Sequence, residues 1–394
     1  MLKVLVIASV YPRFEKDTEV PWLRTSIAKL SEQIHVEVLA PAYQGLKSHT
    51  IDGVKVHRFR YATQSLEILT HDEGAPSKMA NRPWMQLLAI PYVISGMFQC
   101  FRLLRQQKFD CLHVHWPFPH ALISFIPSKI FKVPVILNFH GAELLLVKKH
   151  PWVRFPLRFA IKHSQATLAN SSFTAKKIHD IKATPVILSP YGTTLSSSHL
   201  LESKPKLSSP FKVLFVGRHI ERKGLTYLIQ AAAMLDPEQY SIRIVGGGDL
   251  TAELQKQAQS LELSHVHFLG KLSKEDLTKE YLNANAFVLP AIVDSKGDTE
   301  GLGVVLIEAI EYNLPVIASN VGGIPDVIVD QKTGLLVQEK NASALKLAIE
   351  SLATNQNLQN HLTKNAYEHV QKHFSWDIIV QKQIELYQNL STKD

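Results

Sequence analysis

Short β-branched runs alternate with longer helical patterns along the whole chain, and the alternation breaks once before it restarts. Strands spaced this far apart in sequence do not close tight hairpins. They pair in parallel and need helical crossovers packed on the sheet faces. In the first half the strand candidates are Lys3–Ala8, His35–Leu39, Val54–Phe59, Cys111–Val114, Val133–Asn138, Ala166–Ala169 and Val186–Leu188. Between them fall helical patterns such as Trp22–Ser31, Met85–Gln106 and Trp152–His163. In the second half the strands are Lys212–Val216, Ile242–Val245, His265–Leu269, Phe287–Pro290, Pro315–Ala318 and Gly334–Val337, with helices over Leu225–Leu235 and Leu250–Leu261. Three helical patterns close the chain, Asn341–Ala353, Asn357–His373 and Trp376–Leu390. The expected fold class is α/β, with two doubly wound Rossmann-like domains facing across a cleft.

The break is Ser/Pro-rich, running from Ser196-Ser197-Ser198 to Ser208-Ser209-Pro210. It divides 394 residues into an N-terminal domain over 1–195, a linker over 196–210 and a C-terminal domain over 211–375, as domains of roughly 100–200 residues require. With 45% hydrophobic and 20% charged residues the chain is no disordered polymer. Its 2 Cys, Cys100 and Cys111, exclude a disulfide framework and favour a reducing, cytoplasmic setting.

The formal charge of +8 is unevenly placed. Residues 1–195 hold 24 Lys/Arg against 12 Asp/Glu, whereas residues 196–394 hold 19 against 23. An excess of +12 on one half points to a polyanion or an anionic membrane surface as its partner. The apolar run Met1–Ala8 is too short for a signal-peptide core and leads into Tyr11-Pro12, as a buried strand and turn would. Pro83–Phe101 carries no formal charge, yet Gln86, Pro91, Ser95, Gly96 and Gln99 weaken it as a spanning helix. It reads as a buried or interfacial helix.

The densest chemistry lies beyond Phe287–Pro290. A polar loop, Asp294–Thr299, precedes Glu300-Gly301-Leu302-Gly303, and Glu308 follows inside a helix expected to start near Gly303. Glycines there let a ligand approach backbone N–H groups at the positive end of a helix dipole, an arrangement suited to phosphate flanked by hydroxyls. Taken alone, the two glutamates also fit an ordinary helix with acidic residues near its N-terminus. Their context sharpens them. Gly217-Arg218 and Lys223-Gly224 follow the first strand of the second half, with Arg as a bidentate fork and Lys as a point charge for phosphates. Gly246-Gly247-Gly248 follows the next strand but lacks the spaced third glycine of a dinucleotide fingerprint.

Together Gly217-Arg218…Lys223-Gly224, Gly246–Gly248, Glu300…Glu308, Pro315–Ala318 and Thr333–Val337 resemble the donor domain of glycosyltransferase family 4, over about 120 residues. His140-Gly141-Ala142-Glu143 in the first half is similar more loosely. The resemblance implies a retaining enzyme of GT-B architecture whose terminal helix, here 376–391, completes the N-terminal acceptor-binding domain. It implies a nucleotide-sugar donor, with Arg218 and Lys223 on the diphosphate and Glu308 on the ribose. Glu300, with the amides of Gly301, Leu302 and Gly303, would position sugar hydroxyls, Gly246 and Gly247 would border the donor, and His140 would face the reacting centre. One departure stands out. Where many members carry a Gly-rich loop after the first strand, this chain has Ser9–Phe14, so Arg13 is expected to act in place of backbone amides.

His113 and His115 share a strand face as a candidate metal pair, but no carboxylate or Cys completes it, and no Asp-x-Asp motif is present. No metal and no cofactor are expected. His115 and His120 are read as lining the acceptor side. Lys148–Phe159 interleaves cations with aromatics, and Arg102, Arg105 and Lys108 follow an apolar stretch. Both suit peripheral contact with anionic lipid at the cytoplasmic face of a membrane, while no recognised nucleic-acid module accompanies them. The function expected is transfer from a UDP- or GDP-sugar to a lipid-linked, glycolipid or polysaccharide acceptor in cell-envelope glycan synthesis. The alternatives are a GT-B-like nucleotide-sugar epimerase and a catalytically inactive glycan- or lipid-binding scaffold.

Overall fold

The structure, a computed structural model, describes all residues except 18, 73–74, 194–208 and 393–394. Most of the expected linker therefore lies outside the described residues. The chain divides into two compact units, one of Met1–Tyr191 with Trp376–Asp394 and the other of Gly192–Ser375.

The first unit is built on an eight-stranded sheet. Its strands are β1 (Lys3–Ile7), β2 (His35–Pro41), β3 (His49–Ile51), β4 (Val54–Phe59), β5 (Cys111–His115), β6 (Val135–Phe139), β7 (Ala166–Ala169) and β8 (Ile187–Leu188), in the order β3-β4-β2-β1-β5-β6-β7-β8. All pairs are parallel except β3–β4. The short edge strand β3 is absent from the sequence reading. Its three residues are too few to show a period, and they form a strand only because they fold back on β4.

Successive residues of each strand face opposite ways, and in this sheet both faces are buried. Leu5, Ile7, Leu112, Val114, Leu137 and Phe139 pack into one apolar cluster. Val4, Val6, Val36, Val38, Cys111 and Ile136 pack into another with Val380, Ile384 and Tyr387 of the terminal helix Trp376–Ser391. Strands buried on both faces read as continuous apolar runs, which is why β1 looks so at the chain start.

The second unit holds a six-stranded, all-parallel sheet. Its strands are β9 (Phe211–Val216), β10 (Tyr240–Val245), β11 (Val266–Gly270), β12 (Ala286–Leu289), β13 (Val316–Ser319) and β14 (Leu335–Val337). They lie in the order β11-β10-β9-β12-β13-β14. The strand order reverses between β9 and β12, and the loops leaving their carboxyl ends diverge there. Ligands of open parallel sheets bind at such a switch point.

Candidate active site

In the second unit, β9 ends in Gly217 and Arg218, and a short turn, Glu221–Lys223, delivers Arg222 and Lys223. β12 ends ahead of the loop that carries Asp298, Thr299 and Glu300. Two glycines fix how tightly these loops stack. Gly246, at φ +125°, lies so close to the preceding loop that an added Cβ would meet the Gly217 carbonyl oxygen at 1.9 Å. Gly322, at φ +59°, would likewise drive a Cβ to 2.1 Å from the Glu300 carbonyl oxygen, which accepts the Gly323 N–H at 3.0 Å. Only glycine fits either place.

Glu300 is the centre of this edge. Its buried carboxylate accepts from Lys223 Nζ at 2.5 Å and from Arg222 Nη1 at 3.1 Å. Arg222 also reaches Asp298 at 3.4 Å. Burial alone would push the Glu300 carboxyl up, but Lys223, Arg222 and Arg218 together hold it below the usual range. Arg218 itself is exposed and forms no ion pair among the described residues. Gly246 and Gly247 border the same edge through the hydrogen bond from the His219 N–H to the Gly247 carbonyl, 3.0 Å. Glu308 lies inside the helix Val304–Glu311, whose N-cap is Gly303 at φ +89°. Its carboxylate is buried and accepts from the Tyr281 hydroxyl at 3.1 Å, and Tyr281 stacks on Tyr312 with centroids 4.8 Å apart. Three cations and a carboxylate pre-set at a sheet's carboxyl edge can neutralise a diphosphate and hold hydroxyls.

In the first unit His140 follows β6, and both its ring nitrogens are engaged. Nδ1 is hydrogen-bonded to the Tyr191 hydroxyl and Nε2 meets His115 Nδ1 at 3.0 Å. The His115 and His140 rings stack at 11°, and Trp22 and Trp116 pack on His140 at 4.8 and 4.6 Å. Burial, reinforced by neighbouring imidazoles, drives both pKa values well below the usual range, so both rings are neutral. Glu143 accepts the His140 N–H through Oε1 at 2.8 Å, while its buried Oε2 has no hydrogen-bond partner among the described residues. Burial pushes its carboxyl up to about 7.

His120 stands apart from this cluster, its ring spent on Tyr92 at 2.9 Å and on the Trp116 carbonyl at 2.7 Å. His113 is likewise buried and bonds the Tyr387 hydroxyl at 2.7 Å. Arg13 is bound by two carboxylates, Asp17 at 2.7 Å and Asp72 at 3.0 Å, so its charge is met within the unit. Among the described residues no group of three His, Cys, Asp or Glu side chains could hold a metal ion.

The sequence profile for glycosyl transferases group 1 matches residues 199–369, and that for glycosyltransferase family 4 matches residues 24–196. This chain is a GT-B glycosyltransferase of the family 4 type. A protein of Methanocaldococcus jannaschii named an uncharacterized glycosyltransferase is 26% identical over 357 residues, 89% of this chain and 96% of its own. A phosphatidyl-myo-inositol mannosyltransferase of Mycobacterium leprae is 27% identical over 299 residues, 74% of this chain and 76% of its own. Among solved structures, Anabaena HepE in complex with UDP-glucose aligns with a TM-score of 0.71 at 17% identity, over 99% of this chain and all of that one.

The glycosyltransferase has more residues at these edges than the sequence reading singled out. Arg222 lies between Arg218 and Lys223 in sequence, and only the fold shows that it joins Lys223 on the Glu300 carboxylate. Tyr281 and Tyr191 carried no local signal at all. They reach Glu308 and His140 across 27 and 51 residues of sequence.

Proposed function

We propose that this glycosyltransferase takes a sugar from a UDP- or GDP-sugar and transfers it, with retention and without a metal, to a lipid-linked, glycolipid or polysaccharide acceptor. The work belongs to cell-envelope glycan synthesis at the cytoplasmic face of a membrane. The observation that supports this reading is the Glu300–Lys223–Arg222 cluster with Arg218 beside it, at the edge where β9 and β12 diverge.

On this reading Arg218 and Lys223 meet the donor diphosphate, and Lys223 exchanges its contact with Glu300 for the phosphate. Negative charge grows on the leaving diphosphate in the transition state, so preorganised cations stabilise that state more than the ground state. Glu300, together with backbone amides of Gly301, Leu302 and Gly303, positions hydroxyls of the transferred sugar. Glu308, steadied by Tyr281, holds the ribose. His140, neutral and locked between Tyr191 and His115, presents a fixed imidazole on the acceptor-binding unit. Proximity and electrostatics supply the acceleration, and no side chain is assigned as a nucleophile.

Thermal-shift measurements with UDP-, GDP- and ADP-sugars test the donor. One UDP- or GDP-sugar should raise Tm by several degrees at saturation. Lys223→Ala and Glu308→Ala should each lower transfer by about 100-fold or more while the fold is retained. Full activity in either variant, or conversion of the donor to a different nucleotide sugar without acceptor, overturns the proposal.

A further inference from the structure

One surface of the first unit is unlike the rest of the molecule. The turn Pro83–Leu88 and the helix Ala89–Gln106 expose Leu87, Ile90, Ile94 and Phe98, one turn apart on a single face. The neighbouring helix Pro117–Phe131 exposes Leu122, Ile126 and Ile130 at the same spacing, and Arg154–His163 exposes Phe155 and Phe159. These helices form one layer. Phe101 meets Phe131 at 5.2 Å between centroids, and Phe125 meets Phe159 at 4.8 Å. Leu87, Ile90, Phe98 and Phe155 are 75%, 68%, 68% and 76% exposed, so these apolar side chains lie open to solvent. A groove lined by Tyr61, Ile90, Pro91, Ile94 and Phe98, with Arg60 and Ser95 among them, opens on it. Soluble monomers do not keep apolar surface of this extent bare.

Charge identifies what covers it. The segments 82–108, 117–132 and 148–163 carry 11 Lys/Arg and no Asp/Glu. All are exposed, and none forms an ion pair among the described residues. Trp84 and Trp152, half exposed, sit on the same layer. Apolar residues ringed by unpaired cations and tryptophans match a leaflet with anionic headgroups above hydrocarbon. A protein partner or a second copy of this strongly basic surface would have to supply the missing carboxylates.

We infer that this three-helix face embeds in the plane of an anionic bilayer leaflet by inserting its apolar side chains, rather than resting on headgroups by charge alone. The inference deepens the membrane placement proposed above and rests on it. Pro83–Gln106 is long and apolar enough to cross a membrane, but its other face is built into the fold. Tyr92 bonds His120 at 2.9 Å, Gly96 lies so close to Ile123 that an added Cβ would sit 2.6 Å from it, and Cys100 and Leu103 are buried. Spanning would tear that face from the sheet. Lying in the plane costs none of these contacts.

Flotation of the full chain with vesicles of phosphatidylcholine alone, or mixed with phosphatidylglycerol, at low and high salt tests this. The wild-type chain should float with the anionic vesicles and stay bound at high salt, because apolar insertion is not screened. Its fluorescence should be quenched by brominated lipid, and Trp84→Phe with Trp152→Phe should remove that quenching. Leu87→Glu with Phe98→Glu and Phe155→Glu, all at exposed positions, should cut the bound fraction at least about tenfold while the donor-induced thermal shift is unchanged. Binding that is lost at high salt and indifferent to the triple variant overturns insertion and leaves surface placement standing. Failure to float with anionic vesicles overturns both. A soluble dimer that the triple variant turns into monomer shows that a second copy covers the face and also overturns insertion.

Discussion

Glu143 shows how a single buried group can make stability depend on pH. Its Oε1 caps the His140 N–H, but Oε2 is buried without a partner among the described residues, and burial lifts the carboxyl from 4.5 to about 7. A raised carboxyl binds its proton more tightly in the folded chain than in the unfolded one. The stability it contributes is therefore complete below about pH 4.5 and is lost as pH rises through about 7. Glu143→Gln keeps the acceptor for the His140 N–H and removes the charge. The variant should gain on the order of 1–3 kcal/mol over wild type at pH 8 and close to nothing at pH 4, read from urea unfolding at both. Buried histidines tilt both profiles the other way at low pH, since His113, His120 and His71 are held neutral by burial, and the wild-type-minus-variant difference cancels them. An equal difference at both pH values would show that Glu143 stays ionised throughout.

Among the elements, the terminal helix Trp376–Ser391 is the one whose place could least be read from its own residues. Its period marked it as a helix, but nothing in that period names the sheet it covers. Val380, Ile384 and Tyr387 lie in the core of the first unit with Val4, Val6, Leu23 and Cys111. Ile384→Ala should therefore destabilise by about 2–4 kcal/mol, whereas Lys382→Ala on the exposed face should stay within about 0.5 kcal/mol. Equilibrium unfolding measures both, and equal effects would mean that the helix does not pack as described. The strands were more legible, because apolar β-branched runs buried on both faces have no helical reading at their length. The helix Pro117–Phe131 escaped. Pro117, Pro119 and Pro127 punctuate it, Phe118 leaves helical geometry, and apolar residues surround it, so no stripe announces it. Its exposed Leu122, Ile126 and Ile130 become meaningful only beside the two helices that flank it. At the candidate site, the positions of Arg218 and Lys223 just after β9, and of Glu300 and Glu308 in the loop and helix that follow β12, were legible because each lies on the segment leaving a strand's carboxyl end. Arg13 and His120 were legible only as residue types, and the fold supplies them with Asp17, Asp72, Tyr92 and the Trp116 carbonyl as partners.

Across the whole molecule the charge is divided between the two units, and that division bears on metal use. The first unit, terminal helix included, carries 26 Lys/Arg against 15 Asp/Glu, and the second carries 17 against 20. A nucleotide-sugar diphosphate meeting the second unit is thus drawn by no favourable long-range field from that unit. It depends on local cations, and Arg218, Arg222 and Lys223 gather where β9 ends. Glu300 and Asp298 offset part of their charge in the free protein, and a donor that displaces Lys223 from Glu300 recovers it. On the proposed reading, in which these three cations meet the donor diphosphate, charge neutralisation needs no divalent ion. Transfer should therefore proceed at an unchanged rate in excess EDTA, and added Mg²⁺ or Mn²⁺ should alter it less than about twofold. Arg222→Ala should then weaken the donor-dependent kcat/KM, and Mg²⁺ should not restore it. A loss of more than about tenfold in EDTA, restored by either ion, would place the neutralising charge on a metal instead of on these side chains.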